Sequence, residues 1–199
     1  MDHHLDFEEG LSFDLNETSH SIHAGSVPQA SKLFEKARQN LFQVNRWHQL
    51  AGSANTQFQL TDKEGVVVNR APISGDYICM EQVDNDDIKT YKWVQVEEIE
   101  ERAMHAYHIS AAIKVRPATM PNLPYTPSLD PEKSPAISAF SVERIGSMVY
   151  ASIYIFPKNE VRESAGWLTR FRGPLVALGK SLGLVKPQFK NLAKGMLSL

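Results

Sequence analysis

The stretch AYHISAAIKVRP, residues 106–117, limits the fold more than any other part of this 199-residue chain. Its odd positions, Tyr107, Ile109, Ala111, Ile113 and Val115, are apolar, while His108, Ser110, Lys114 and Arg116 hold most of the even ones. A period of two fits a strand with one dry and one wet face and does not fit a helix. The same pattern extends on both sides. In TQFQLTD, Phe58 and Leu60 share one face and Gln57 and Gln59 the other, and DKEG places Gly65 for a short hairpin into VVVNR. Further strands are expected at DYICMEQ (76–82), YKWVQVEEIEE (91–101), AISAFSVERI and MVYASIYIF, the last two meeting at Gly146-Ser147. A weaker strand is expected within 11–25. In MVYASIYIF neither face is plainly wet, since Tyr150 and Tyr154 alternate with Val149, Ala151 and Ile153.

Helical spacing flanks this run. Leu33, Phe34, Ala37, Leu41, Val44, Trp47 or His48 and Ala51 recur at three and four residues, so one apolar stripe is expected from a Ser26 cap, with Pro28 in the first turn, to Gly52. Near the other end, Trp167, Leu168, Phe171, Leu175, Leu178 and Leu182 keep similar spacing, interrupted at Gly173-Pro174. A last amphipathic piece, 187–198, sets Phe189, Leu192 and Met196 opposite Lys190 and Lys194. Residues 117–135 hold six of the eleven prolines, which excludes helix and central strand and predicts a long loop.

Composition narrows the class. Apolar residues make up 42 % and charged residues 22 %, with a formal net charge of -2, so the chain reads as one globular domain, 11–199, after a flexible stretch 1–10. A slightly acidic chain whose aromatics are not interleaved with basic residues does not suit nucleic acid. The one cysteine, Cys79, cannot form an internal disulfide, and MDHHLDFEEG is acidic where a signal peptide would be basic and then apolar, so a cytoplasmic location is expected. No window reaches about 18 uninterrupted apolar residues, so no membrane span is expected.

The order of strand, helical segment, antiparallel run and terminal helix resembles the START-like, birch-pollen-allergen-like helix-grip superfamily, also called SRPBCC. The joint RWHQLAG, with Trp47 just ahead of the sheet, looks like the tryptophan such proteins carry before their second strand. The resemblance implies an α+β fold in which two short helices follow the first strand and a curved antiparallel sheet of six to seven strands grips a C-terminal helix. It also implies binding of a hydrophobic or amphipathic small molecule, or lipid, between sheet and helix, with cyclases and hydrolases among its members. Residues expected to line such a cavity are Trp47 and Phe58 at the joint, Trp93, Tyr107 and Ile109 on the strands, and Arg116 at the mouth. Tyr150 and Tyr154 are expected there as hydroxyl donors, and Trp167 and Phe171 from the closing helix.

Residue chemistry adds little beyond this. His105 and His108 have opposite parity on one strand and are expected on opposite faces, as are His20 and His23, so no metal site is expected. Asp84, Asn85, Asp86 and Asp87 lack the glycine and closing Glu of a calcium loop. No nucleophile elbow, phosphate loop or dinucleotide fingerprint occurs, no cofactor is expected, and catalytic residues are unassigned. Cys79, within YICME, reads as a small buried thiol. Lys186, Lys190 and Lys194 recur every four residues, the layout of a helix touching an anionic membrane surface or of a docked helix with a solvated lysine face.

Overall fold

The computed structural model describes residues 16–52, 56–83, 88–122, 136–157 and 186–198. Seven strands form one antiparallel sheet: β1 (Asn16–His23), β2 (Thr56–Thr61), β3 (Tyr77–Val83), β4 (Lys89–His105), β5 (His108–Ala118), β6 (Ala136–Ile145) and β7 (Met148–Pro157). Their spatial order is β1-β7-β6-β5-β4-β3-β2. β2 to β7 are therefore a simple meander, whereas β1 and β2, consecutive in sequence, are the two edges. The chain between them has to cross a face of the sheet. It does so as α1 (Val27–Phe42), a 3₁₀ turn (Val44–Arg46) and α2 (Trp47–Leu50), and α3 (Lys186–Met196) packs beside them. The result is a curled sheet holding helices on its inner face, the α+β helix-grip arrangement expected from the sequence. Register shifts in β4 at Val96/Glu98 and Ala103/His105 help bend it.

Local chemistry explains most element ends. Ser26 caps α1, its side chain accepting from the Gln29 N–H at 3.4 Å, with proline in the first turn. The expected single stripe is real: Ala30, Leu33, Phe34, Ala37, Leu41, Val44, Trp47 and Ala51 are all buried. The helix beneath it breaks at Gln43, which lets Trp47 turn inward. Gly52, at φ +58°, ends α2.

Among the described residues the inner face of the sheet is packed. Phe58, Leu60, Ile78, Val94, Val96, Ala111, Ile113, Val115, Phe140, Val142, Val149, Ala151 and Ile153 meet the stripe of α1 and α2 and Phe189, Leu192 and Met196 of α3 in one cluster. Phe189, Leu192 and Met196 are thus committed to the interior, and Lys190 and Lys194 face out, the docked-helix alternative for this segment. Among the described residues no helix is long and apolar enough to cross a membrane.

Four local expectations are corrected. The chain turns back at Gly65 as expected, with Asp62 N–H bonded to the Val66 carbonyl (2.9 Å) and Val68 N–H to the Leu60 carbonyl (3.0 Å), but VVVNR is not a full strand: beside these there is a single Thr61↔Val67 bridge, and Val66 and Val67 stay exposed. Asn45 ends this pairing by bridging both segments, its Oδ1 accepting from the Leu60 N–H (2.7 Å) and its Nδ2 donating to the Val68 carbonyl (2.8 Å). β5 runs through Pro117, which pairs with Val94. Its pairing with β6 ends at Val115↔Ser138, so proline sits where β5 has one neighbour. Tyr107 lies in the β4–β5 turn, 60 % exposed, and not on the dry face of a strand. That turn also makes His105 and His108 direct cross-strand partners on one face, with ring centroids 5.6 Å apart, whereas a single continuous strand would have separated them. The helical pattern around Trp167 and Phe171, the break at Gly173-Pro174, the acidic run 84–87, residues 1–10 and most of the proline-rich segment lie outside the described residues.

Candidate functional site

The expected lining residues that are described do not converge on one space, and Trp167 and Phe171 lie outside the described residues. Trp47 is fully enclosed by side chains, edge-on to Phe58 (5.5 Å between centroids) and tilted against Phe140 (4.5 Å). Its Nε1–H donates to the Asn40 and Leu41 carbonyls at 3.2 and 3.1 Å. Ile109 is half-buried against the same core. Trp93, Arg116, Tyr150 and Tyr154 lie on the opposite face of the sheet, where Tyr154 is buried and Tyr150 half-buried. Arg116 is exposed, donating to Gln95 Oε1 at 2.6 Å and lying 3.4 Å from Glu97 Oε1. That outer face also carries buried Ser110, Ser141 and Glu100, with Glu100 paired to Arg102, and His108 paired to Glu143.

Hollows are walled by described residues at two places. The smaller, about 240 Å³, lies where the 3₁₀ turn and α2 meet β2, β3 and β4, with Asn45, His48, Gln57, Cys79, Glu81 and Tyr91 on its walls. Phe58 touches it from the core side. Hydrogen bonding from Lys89 holds the Glu81 carboxyl below its ordinary range, and the Lys89 ammonium is raised by the same contact. Burial, with the Glu81 charge beside it, pushes the Cys79 thiol up to about 11. At neutral pH the sulfur keeps its proton and is a poor nucleophile. Between the ordinary 9.0 and about 11 the folded chain keeps a proton that the unfolded chain loses, so stability falls as pH rises through that window. Alkylation of the native protein by iodoacetamide is therefore expected to rise with a midpoint near 11; a midpoint at the ordinary thiol value would mean that Cys79 is not enclosed as described.

The larger hollow, about 500 Å³, is a groove at the free edge of β1, closed by the end of α2 and the last turn of α3. Its position depends on Gly195. A Cβ there would stand 1.9 Å from the Leu50 carbonyl oxygen, so only glycine lets the two helices meet at this depth. On the β1 side of that contact the surfaces diverge, leaving Ile22, Leu50, Ala51 and Leu197 as an apolar floor. His20, Gln49, Asn191, Lys194 and Ser198 edge it.

The last turn of α3 is tied down from several directions. Asn40 Nδ2, buried beneath it, donates to the Met196 carbonyl at 3.1 Å and lies 3.4 Å from that of Ser198. Leu197 N–H reaches the Lys194 carbonyl (3.2 Å), and Ser198 gives both its N–H (3.0 Å) and its hydroxyl (2.7 Å) to Gly195. The helix-end carbonyls are thus satisfied. Among the described residues no group of three His, Cys, Asp or Glu is placed to hold a metal ion.

Of the expected site residues that are described, only Lys194, singled out for membrane contact, borders this groove. The others could not point to it, because β1, α2 and α3 lie far apart in sequence and each contributes two to five residues. The one local hint is a glycine within an otherwise amphipathic helix, KPQFKNLAKGM.

No known family profile matches the sequence, and no curated protein does. Among solved structures the chain is similar to the crystal structure of Ara h 8.0201, a birch-pollen-allergen-like helix-grip protein, with 10 % identity over 92 % of this chain and 95 % of that one and a TM-score of 0.42. It is also similar to the solution NMR structure of a protein from Arthrobacter aurescens, with 12 % identity, 73 % and 69 % coverage and a TM-score of 0.33.

Proposed function

We propose that the protein binds a hydrophobic or amphipathic small molecule in the groove between the β1 edge of the sheet and the C-terminal helix. The observation that carries this is the groove itself: about 500 Å³, apolar at the bottom and polar at the rim. That size and layering are those of ligand sites, which run from roughly 300 to 1,000 Å³ with a few polar groups that orient the guest. The smaller hollow falls below the range and is walled mainly by polar side chains. The interior between sheet and helices is filled by Trp47, Phe58, Phe140 and Phe189, so a guest belongs at the edge of that interior.

The test is a titration with the uncharged fluorescent probe N-phenyl-1-naphthylamine. One probe is expected to bind per chain, and Ile22→Trp, which fills the floor, is expected to weaken it at least about tenfold while the far-UV circular dichroism is unchanged. Equal binding to both proteins would remove the groove as the site.

A further inference from the structure

The polar rim of the groove is not neutral in character. We infer that its ligand is a free amphipathic carboxylate, with the apolar chain along Ile22, Leu50 and Leu197 and the acid group at Lys194 and His20. This rests on the reading of the groove as a ligand site and adds the charge of the guest.

Three observations lead there. Among the described residues no Asp or Glu borders the groove, whereas Lys194 and His20 both do. The Lys194 ammonium is exposed and makes no ion pair with any described residue, although Lys89 and Lys114 elsewhere on the sheet find Glu81 and Glu97. The competing influence is the C-terminal end of α3, worth about half a negative charge when its carbonyls are open. Here Asn40, Leu197 and Ser198 occupy the carbonyls of Lys194, Gly195 and Met196. A full positive charge on a flexible stem therefore outweighs a capped helix end.

His20 strengthens the choice. It is directed to the inner face of β1, opposite Ala151, and is half-buried on the groove wall, so a ring N–H can donate where water has restricted access. A carboxylate accepts from both donors with charge assistance; a neutral hydroxyl can accept from both but only through weaker, uncharged bonds, and an ammonium accepts from neither. A monomeric amphiphile is favoured over a lipid still seated in a bilayer. The apolar side of α3, through Phe189, Leu192 and Met196, is built into the core and cannot enter a membrane.

The experiment displaces bound N-phenyl-1-naphthylamine with decanoate, decanol or decylamine at pH 7.5 and low salt. Decanoate is expected to compete about tenfold better than decanol, with decylamine weakest. Lys194→Gln should bring decanoate and decanol to within about twofold, and Lys194→Glu should place decylamine ahead of decanoate. If the probe binds wild type but decanol and decanoate compete equally, the inference about charge is wrong and the groove stands. If the probe fails to bind, or binds Ile22→Trp as well as wild type, the groove reading itself falls. Retention of the protein on phosphatidylglycerol vesicles with no displacement by free decanoate would assign the basic rim to a membrane surface and overturn the choice of a free amphiphile.

Discussion

Gly195→Ala lowers the free energy of unfolding by about 2–4 kcal/mol, seen as a fall in the urea midpoint with an unchanged m-value. The expected sign is opposite to the ordinary one. Within a helix, alanine is better than glycine by about 1 kcal/mol, because glycine loses more backbone freedom on folding. Here the new methyl would stand 1.9 Å from the Leu50 oxygen, 2.5 Å from its carbonyl carbon and 3.0 Å from its Cα. All three are backbone atoms of α2, so no rotamer change relieves the overlap. α2 is held by the enclosed Trp47 on one side and by Gly52 turning the chain towards β2 on the other. α3 would have to lift, and with it Leu192, Met196 and the Asn40 bond to Met196. The loss of that packing outweighs the gain in propensity. An alanine variant as stable as wild type would mean that α2 and α3 do not touch here.

The second large effect is expected at Trp47. Trp47→Ala should cost about 4 kcal/mol, within the range for emptying a fully enclosed large aromatic site. Nothing nearby can collapse into the space readily, since Phe58 comes from β2, Phe140 from β6 and the stripe residues from α1. Trp47→Phe separates packing from hydrogen bonding. It keeps most of the ring contact but removes the indole donor from the Asn40 and Leu41 carbonyls at the end of α1, leaving Asn40 with only the shared Gln43 N–H at 3.3 Å. A loss of about 1–2 kcal/mol is expected for that variant. Should Trp47→Ala cost less than about 1 kcal/mol in urea unfolding, the helical connection does not cross the sheet as a packed layer.

The abrupt joint between helix and strand thus has a structural use. Trp47 and Phe58 come from different kinds of secondary structure and meet in one core, and a longer connection would leave that contact to chance. This was legible in RWHQLAGSANTQFQL because the two periods, near 3.6 and then 2, each place their large residue inward. The dry face of β5, Ile109, Ala111, Ile113 and Val115, was legible for the same reason. VVVNR was read too far because β-branched residues report only that a strand would fit, whereas the return pairs with β2 just around Thr61↔Val67 and then meets Asn45, remote in sequence, at the Val68 carbonyl. His105 and His108 were misjudged because the turn at Ala106-Tyr107 carries weak signals, and a shift of the turn changes which residues face one another.

By itself, the sequence determined the strands, their inward faces, the Ser26 cap, the glycine turns and the helical stripe. These depend on sterics and alternation among residues a few positions apart, and such information is complete within a short window. Tertiary structure alone decided that β1 and β2 would be opposite edges, that aromatic rings would fill the space under the helices, and that a groove would open beside Gly195. Those outcomes depend on how closely three distant segments can approach, and that limit is set by single atoms, the absent methyl of Gly195 against the oxygen of Leu50.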